Sequence, residues 1–506
     1  MSPAPQPRTV QLASSILEHT TILESFLHEN GLPSPSFDPG TPPKLPLSPE
    51  VEKSLEMALS SLDELTALLM GPMGWLLNQI GHAFDLASLH AMYRYKVPSK
   101  FPVGSKIPIR ALSKLCVSSA SGEGVDKGTV ADSEDKMTRL MQHAVSNYLL
   151  LQESPGGPVS HTALSAMVAQ VPGLYYWIGS ACEDMWPSAP HVVHAIMQNN
   201  LNNSTSNSIT PPSETTTNHE NAKSSSQQPA SSGRTAPQPV TTLTGHNLAE
   251  QTTVTFFDTL RKQPARMARF GNAMSVMQNM MPGFDATAAL EAYDWAGLVS
   301  TTKLTVVDVG GGQNGDFAHA LAASKHGDTI LNKIVVQDLD LKKTETTDSK
   351  RSGIVEFMHH DFFSEQPVWL DADVYFLRMV LHDWSDGDCV RILRGLVPAL
   401  ERKKKGRILI NDLVVPGPPP PSGLLPSATS DGNGPAGGGP PSRYIERQMR
   451  RQDLAMMAMF DSKERNEEQW GAVIKRADER LGVKSVTRCA GGMSPMAVIE
   501  VVLEQE

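Results

Sequence analysis

The sequence predicts an α/β fold: a parallel sheet covered by helices on both faces, preceded by a helical half that carries a small β wing. Three observations predict it. In the second half, short runs rich in Val, Ile and Leu alternate with helical stretches, the pattern of strands buried on both faces. The first of those runs ends in a glycine triplet, "VVDVGGGQNGDF". The first half instead repeats Leu and Met at three- and four-residue steps, as amphipathic helices do.

Taken in order, residues 54–70, 137–151 and 162–167 read as helices. Between them, "KIPIRALSKL" alternates at Ile107 and Ile109 with a short helix after it, and "GGPVSHTALS" gives a turn and a hairpin-like piece. Two segments break the pattern. Residues 199–240 are almost all Ser, Thr, Asn, Gln and Pro, too polar to offset the entropy of ordering. Residues 416–441 are dense in Pro and Gly, which forbid regular structure. The expected organisation is a helical, winged domain over 1–198, a disordered insertion over 199–243, and a cofactor-binding domain over 244–506 with a disordered loop at 416–441. Strands are expected in "KLTVVDVG" (303–310), "KIVVQDL" (333–339), "GIVEFMHHD" (353–361), "DADVYFL" (371–377) and "GRILINDLVV" (406–415). Two last candidates, "KSVTRCA" and "MAVIEVVLE", lie close enough to form an antiparallel pair at the end of the sheet.

The bulk numbers narrow the partners. A formal charge of −10 over 506 residues gives no basic field for nucleic acid or an anionic membrane. The longest apolar stretch, "LTALLMGPMGWLL", is too short to span a bilayer, and no signal peptide is apparent. Cys116, Cys182, Cys389 and Cys489 are scattered without metal-ligand spacing, which fits a reducing cytosol and predicts no metal site.

Chemistry concentrates at the strand ends. Gly310, Gly311 and Gly312 form the turn after the first strand, where open α/β sheets bind cofactors and bare backbone can touch a ligand. The second strand ends with Asp338 and Asp340, of which Asp338 is the better ribose ligand. The third ends in Asp361-Phe362, a carboxylate for an exocyclic amine and a ring to pack on adenine. Each acid is also a plausible strand-end cap, and the glycine turn alone fits many nucleotide folds. Asp308, two residues before the triplet, disfavours a pyrophosphate and suits an ammonium group, as in S-adenosylmethionine.

The motifs "VVDVGGG", "QDL", "HHDFF", "FLRMVLHDWSD" and "ILINDLVVP" together resemble those of S-adenosylmethionine-dependent O-methyltransferases of the caffeic-acid type, in the fungal branch acting on secondary metabolites. "SHTALS" and "WPSAPHVVHAI" in the first half are similar to that branch. The resemblance implies a Rossmann-like class I methyltransferase sheet and an N-terminal winged-helix-like dimerisation domain, hence a homodimer. It implies that Gly310 to Gly312 surround the methionine part of the cofactor, Asp338 the ribose, and Asp361 and Phe362 the adenine. Arg378 would contact the cofactor region and His382 would be the general base. Asp412 stands where plant relatives carry Glu, Glu464 matches their second acid, and both would orient the His382 ring. The glycine turn departs from GGGxG: either Asn314 takes the last glycine position or the loop is one residue longer.

The implied reaction is transfer of a methyl group to a phenolic hydroxyl of an aromatic, polyketide-derived metabolite, without metal. The alternative reading is a catalytically silent homologue serving as an interaction or regulatory subunit. The methionines of "LAMMAMFDSKER" read equally as helix core and as the lining of a flat aromatic pocket.

Overall fold

The computed structural model describes residues 6–120, 127–206, 240, 242–280, 284–299, 302–324, 327–339, 341, 353–417, 441–489, 494 and 496–504. Asp340, residues 207–239 of the polar insertion and 418–440 of the Pro/Gly-rich loop lie outside them.

The chain starts with α1 (Arg8–Glu29), packed along α2 (Pro49–Arg94) through Leu23, Leu27 and Val51. Ser48 begins α2 by accepting the Val51 N–H, with Pro49 and two acids in the first turn favouring the start. The helix expected over 54–70 is part of this 46-residue element. It does not stop at Gly71-Pro72 but bends there, Gly71 taking φ +63°. Glycine reaches that conformation at little cost, and Pro72 has no N–H for the bend to orphan.

A three-stranded antiparallel wing follows in the order β1-β3-β2, from β1 (Lys106–Ile107), β2 (Leu150–Gln152) and β3 (Val159–His161). α3 (Ile109–Ala120) and α4 (Lys127–Ser146) sit between β1 and β2. The helix expected over 137–151 therefore ends five residues early. Tyr148 turns left-handed at φ +56° and the Leu149 N–H caps the Ala144 carbonyl at 2.9 Å, which frees Leu150 for the strand. Thr162 caps α5 (Ala163–Gln170), and α6 (Pro172–Ser180) runs through a π turn (Ala181–Met185) into α7 (Trp186–Ser188) and α8 (Val192–Ser206). The disorder expected from residue 199 is thus corrected: 199–206 continue the helix. Asn199 makes this stable locally, donating to the Leu243 carbonyl at 2.8 Å and accepting the Leu243 N–H at 3.0 Å.

The second half opens with α9 (Gly245–Ala249), α10 (Phe256–Arg261), α11 (Pro264–Met280) and α12 (Ala286–Glu291). Then come β4 (Leu304–Val309), α13 (Asp316–Ala323), α14 (Gly327–Ile330), β5 (Leu331–Asp338), β6 (Val355–His359) and β7 (Val374–Arg378). The chain closes with α15 (Asp386–Arg402), β8 (Arg407–Leu413), α16 (Arg443–Phe460), α17 (Glu467–Ala477), β9 (Leu481–Arg488) and β10 (Met496–Leu503). The seven strands order as β6-β5-β4-β7-β8-β10-β9. The first five are parallel, and β10 is antiparallel to both β8 and β9. Every residue of β4 and β7 is buried, as strands covered on both faces require. Val307 and Val309 face α15 and α17, while Val306 faces α12, α13 and α16, the two-residue alternation of a strand. The order reverses at β4, between β5 and β7, so a crevice opens at their carboxyl ends.

The first half holds α16 in place. Glu56 of α2, 1% exposed, accepts the Ser442 N–H at 3.0 Å, putting a carboxylate on the helix N-terminus. Asp63 of α2 pairs with Arg447 of α16.

Candidate active site

The glycine turn occupies that crevice. Gly310 and Gly312 both have φ +73°, where a side chain is strained. Gly311 is required for space instead: a Cβ there would stand 2.5 Å from Asp308 Oδ2 and 2.9 Å from Val336 Cγ1. The left-handed residue that starts α13 is Gly315, φ +59°, not Asn314. Of the two readings of the turn, the loop is one residue longer. The Gly310 and Gly311 N–H groups both donate to the Gln337 carbonyl, at 2.8 and 3.1 Å, and the Gly312 N–H donates to Asp338 Oδ2 at 3.1 Å.

Around the turn stand the other residues singled out from the sequence. Asp308 is 1% exposed and its Oδ2 has no hydrogen-bond partner. Burial pushes its carboxyl up to about 7, with Arg378 pulling the other way and Asp338 and Asp316 adding to the rise. Arg378 is buried, and its guanidinium donates to Asn411 Oδ1 and to the Phe284 carbonyl. Asp361 uses Oδ1 to accept the Phe363 N–H at 3.0 Å, closing its own turn. Phe362 lies beside the glycines: its Cε1 would be 3.6 Å from a Cβ at Gly310. A cationic adenosyl cofactor fits these groups. The orphaned oxygen of Asp308 wants a cation, the glycines leave a cradle that side chains would fill, and Asp338 and Phe362 border it.

Val380 connects this cradle to His382, its Cγ2 standing 2.9 Å from a Cβ at Gly310. β7 ends at Arg378, Met379 turns left-handed at φ +52°, and a single 3-10 turn (Leu381–Asp383) delivers the histidine. His382 is 3% exposed. Nδ1 lies 2.9 Å from Glu464 Oε1, and Nε2 lies 3.6 Å from Asp383 Oδ1. Asp412, on β8, is fully buried, and neither carboxylate oxygen has a hydrogen-bond partner. Glu464 alone of the two candidate acids bonds the ring; Asp412, one methylene shorter than Glu, acts on it only through charge. Burial disfavours the imidazolium, but Glu464, Asp383 and Asp412 outweigh it and hold the ring up at about 10. Burial also pushes Asp412 up to about 7, against the pull of His382.

Trp384 links the two groups. It meets Phe362 edge-on at 5.7 Å and stacks on Phe257 at 6.0 Å, which stacks in turn on Phe460 at 5.3 Å. Of the α16 methionines, Met456 and Met459 are core and Met457 is half-buried. Sequence reading passed over Arg465, which sits next to Glu464. The signal for Arg465 was its place beside Glu464 in "DSKERNEEQW".

Comparison with known proteins gives the family. An O-methyltransferase domain model matches residues 243–423. O-methyltransferase aoiF of Aspergillus oryzae is 30% identical over 503 residues, covering 97% of this chain and 98% of aoiF. The chain belongs to the O-methyltransferase family. O-methyltransferase pyvH of Aspergillus violaceofuscus is 29% identical over 503 residues, covering 98% of this chain and 99% of pyvH. Among solved structures, OxaC aligns with TM-score 0.64 at 20% identity, covering 98% of this chain and all of OxaC. LepI in complex with S-adenosylmethionine (SAM) aligns with TM-score 0.63 at 19% identity, covering 97% of this chain and all of LepI. These two share its fold. This O-methyltransferase is thus a SAM-dependent enzyme of secondary metabolism, with a class I methyltransferase sheet behind a helical N-terminal region.

Proposed function

We propose that the enzyme methylates a phenolic hydroxyl of an aromatic, polyketide-derived acceptor, with His382 as general base and no metal in the step. The carrying observation is the 2.9 Å contact of Glu464 with Nδ1, which leaves Nε2 as the nitrogen for the acceptor, on a turn whose Val380 side chain packs against Gly310. In this reading Gly310 to Gly312 and Asp308 hold the methionine end of SAM, Asp338 the ribose, and Asp361 and Phe362 the adenine. Arg378 supports Asp308 from below, and Glu464 and Asp412 supply the charge behind the imidazole. When bound, SAM supplies an electrophilic methyl on a sulfonium.

Nε2 would take the acceptor's phenol proton as its oxygen attacks, and the sulfonium held by these residues would supply the methyl and accept the C–S bonding pair. A free histidine of pKa about 6.5 is a poor match for a phenol near ~10. The carboxylates close that gap, but a ring held up at about 10 is already protonated at neutral pH. A unit positive charge brought within ~6 Å, at an effective dielectric of ~20, disfavours the imidazolium by roughly 3 kcal/mol, or about 2 pKa units. Cofactor charge would therefore bring the ring down toward about 8 as the site fills, closer to neutral pH. Phe257, Phe460 and Trp384 offer aromatic faces to a flat acceptor.

The domain reading, amended to end the first helical region at residue 206, assigns it to dimerisation. Support comes from exposed apolar side chains along α2 and α8, among them Leu69, Met73, Leu77, Phe84, Val193 and Leu201, each 66–71% exposed. A second copy is the proposed cover, and light scattering tests it: a monomer at micromolar concentration rejects it.

The test of the reaction is His382→Ala against a panel of phenols. SAM affinity by calorimetry stays within ~3-fold while methyl transfer falls ~10²-fold or more, the scale of a general base. Undiminished transfer rejects the base assignment. A wild-type protein that binds SAM and methylates nothing in the panel points to the silent-homologue reading. Rearrangement of an acceptor without methylation points instead to chemistry like that of a neighbour of this fold, a pericyclic reaction enzyme.

A further inference from the structure

Arg465 has the most engaged buried guanidinium near the site. It is 0% exposed and follows Glu464 directly. Nη1 donates to the Leu381 carbonyl at 3.1 Å and Nη2 to the Trp384 carbonyl at 2.8 Å, the residues that flank His382 and Asp383. Nε donates to Asp386 Oδ1 at 2.9 Å, at the start of α15. The face of the guanidinium lies over Trp470, 5.1 Å from its ring centre. Through its backbone carbonyl Arg465 also accepts the Val415 N–H at 3.1 Å, three residues past Asp412.

These contacts tie three segments at one residue: the turn that carries His382, the loop that carries Glu464, and the end of the strand that carries Asp412. Every donor direction of a planar fork is used, a geometry that a lysine ammonium cannot reproduce. Arg465 thus gives a turn-borne histidine and a loop-borne glutamate a shared buried support. Ångström-scale drift between base and partner costs catalysis out of proportion to stability.

We infer that Arg465 is a positioning residue for the methyl transfer: its guanidinium holds the His382 turn and Glu464 in fixed register. The inference rests on His382 being the base. Arg465 acts through the Glu464–His382 contact and touches neither substrate nor cofactor. The charged and titratable groups around His382 are Asp383 on its own turn, Asp412 on β8 and Glu464 after α16. Behind Glu464 stands Asp453, whose Oδ1 accepts the Glu464 N–H at 2.9 Å. Lys463 and Asp386 pair at 2.8 Å on the outer side of Arg465.

The experiment compares wild type, Arg465→Lys, Glu464→Gln and the double variant, with SAM affinity, KM for an accepted phenol, kcat and the pH profile of kcat. Arg465→Lys keeps the charge and loses the fork. Expected are SAM affinity and KM within ~3-fold of wild type, kcat down ~10-fold or more, and an acidic limb displaced toward lower pH as Glu464 loses its hold on the ring. In the Glu464→Gln background the same change has little further effect, because the contact it protects is already weakened. A kcat equal to wild type overturns the inference. So does a loss that leaves the pH profile in place and persists in full in the Glu464→Gln background, which marks a role in folding only. Should Arg465→Lys fail to fold, Asp386→Asn removes the carboxylate anchor from the outer side of the fork. It is expected to shift kcat and the limb in the same direction by a smaller amount, and an unmoved profile there overturns the inference equally. Failure of the base assignment is separate: it shows as full activity in His382→Ala, whereas an inactive His382→Ala beside a normal Arg465→Lys overturns this inference alone.

Discussion

Glu464→Gln preserves the shape of the side chain that holds His382 and removes its charge. The two groups are 2.9 Å apart and both are buried. At an effective dielectric of ~20, a unit pair at that separation interacts by about 6 kcal/mol, an upper limit of ~4 pKa units. The amide oxygen still accepts the Nδ1 proton, a neutral hydrogen bond worth about 1 kcal/mol net. Asp383 and Asp412 continue to favour the charged ring. The expected fall in the ring's pKa is therefore about 2–3 units. Two consequences separate. The acidic limb of kcat moves down by about the same interval, since the ring sheds its proton more easily. The plateau drops ~10–100-fold, since a weaker base gives less driving force toward a phenol. The assay is transfer of labelled methyl to an accepted phenol from pH 5 to 10 at saturating SAM. A limb and plateau that both coincide with wild type would refute the assignment of Glu464 as the partner that sets His382 basicity.

The glycine turn and the buried acids give further tests. Gly311→Ala drives a Cβ against Asp308 and Val336, so overpacking lowers stability by about 1–3 kcal/mol and weakens SAM binding. Gly312→Ala meets open space and suffers only its left-handed φ; a larger loss of melting temperature in Gly312→Ala than in Gly311→Ala would contradict the clash. Asp412 and His382 are both held above their unfolded values, so the native state binds more protons than the unfolded one, and stability falls as pH rises. The Asp412 contribution is present below its unfolded value of 3.8 and lost through about 7. That of His382 is present below 6.5 and lost through about 10. Asp412→Asn removes the lower window: its melting temperature relative to wild type rises between pH 5 and pH 8, and a constant offset counts against a raised Asp412.

The sheet was legible because buried strands have little freedom to hide. Val374, Tyr375, Phe376 and Leu377 form an unbroken apolar run, Val306, Val307 and Val309 one interrupted only by Asp308, and the glycine triplet marks a turn. His382 stood out by the strand before it and the motif around it. What stayed hidden depends on distances that spacing does not encode. Nothing in the sequence says that an aspartate at 412 falls short of the ring while Glu464, 82 residues from His382, reaches it. Gly71-Pro72 reads as a helix end, yet α2 only bends there and runs on to Arg94. Asn199 reads as the first residue of a polar tract, but its amide partner, Leu243, is 44 residues away. The role of Arg465 was invisible for a similar reason: the acceptors that tie it to the His382 turn are the Leu381 and Trp384 backbone carbonyls, and every residue has one.

The Asn199–Leu243 clasp makes the polar insertion separable from the enzyme. Residues 199 and 243, on either side of the insertion, are tied by two amide hydrogen bonds, with 199–206 continuing as helix beyond the tie. Each doubling of the length between those anchors adds only about 0.6 kcal/mol of closure entropy. The span can therefore grow, shrink or be exchanged for a cassette such as a fluorescent or affinity module, while the catalytic half registers no change in tension.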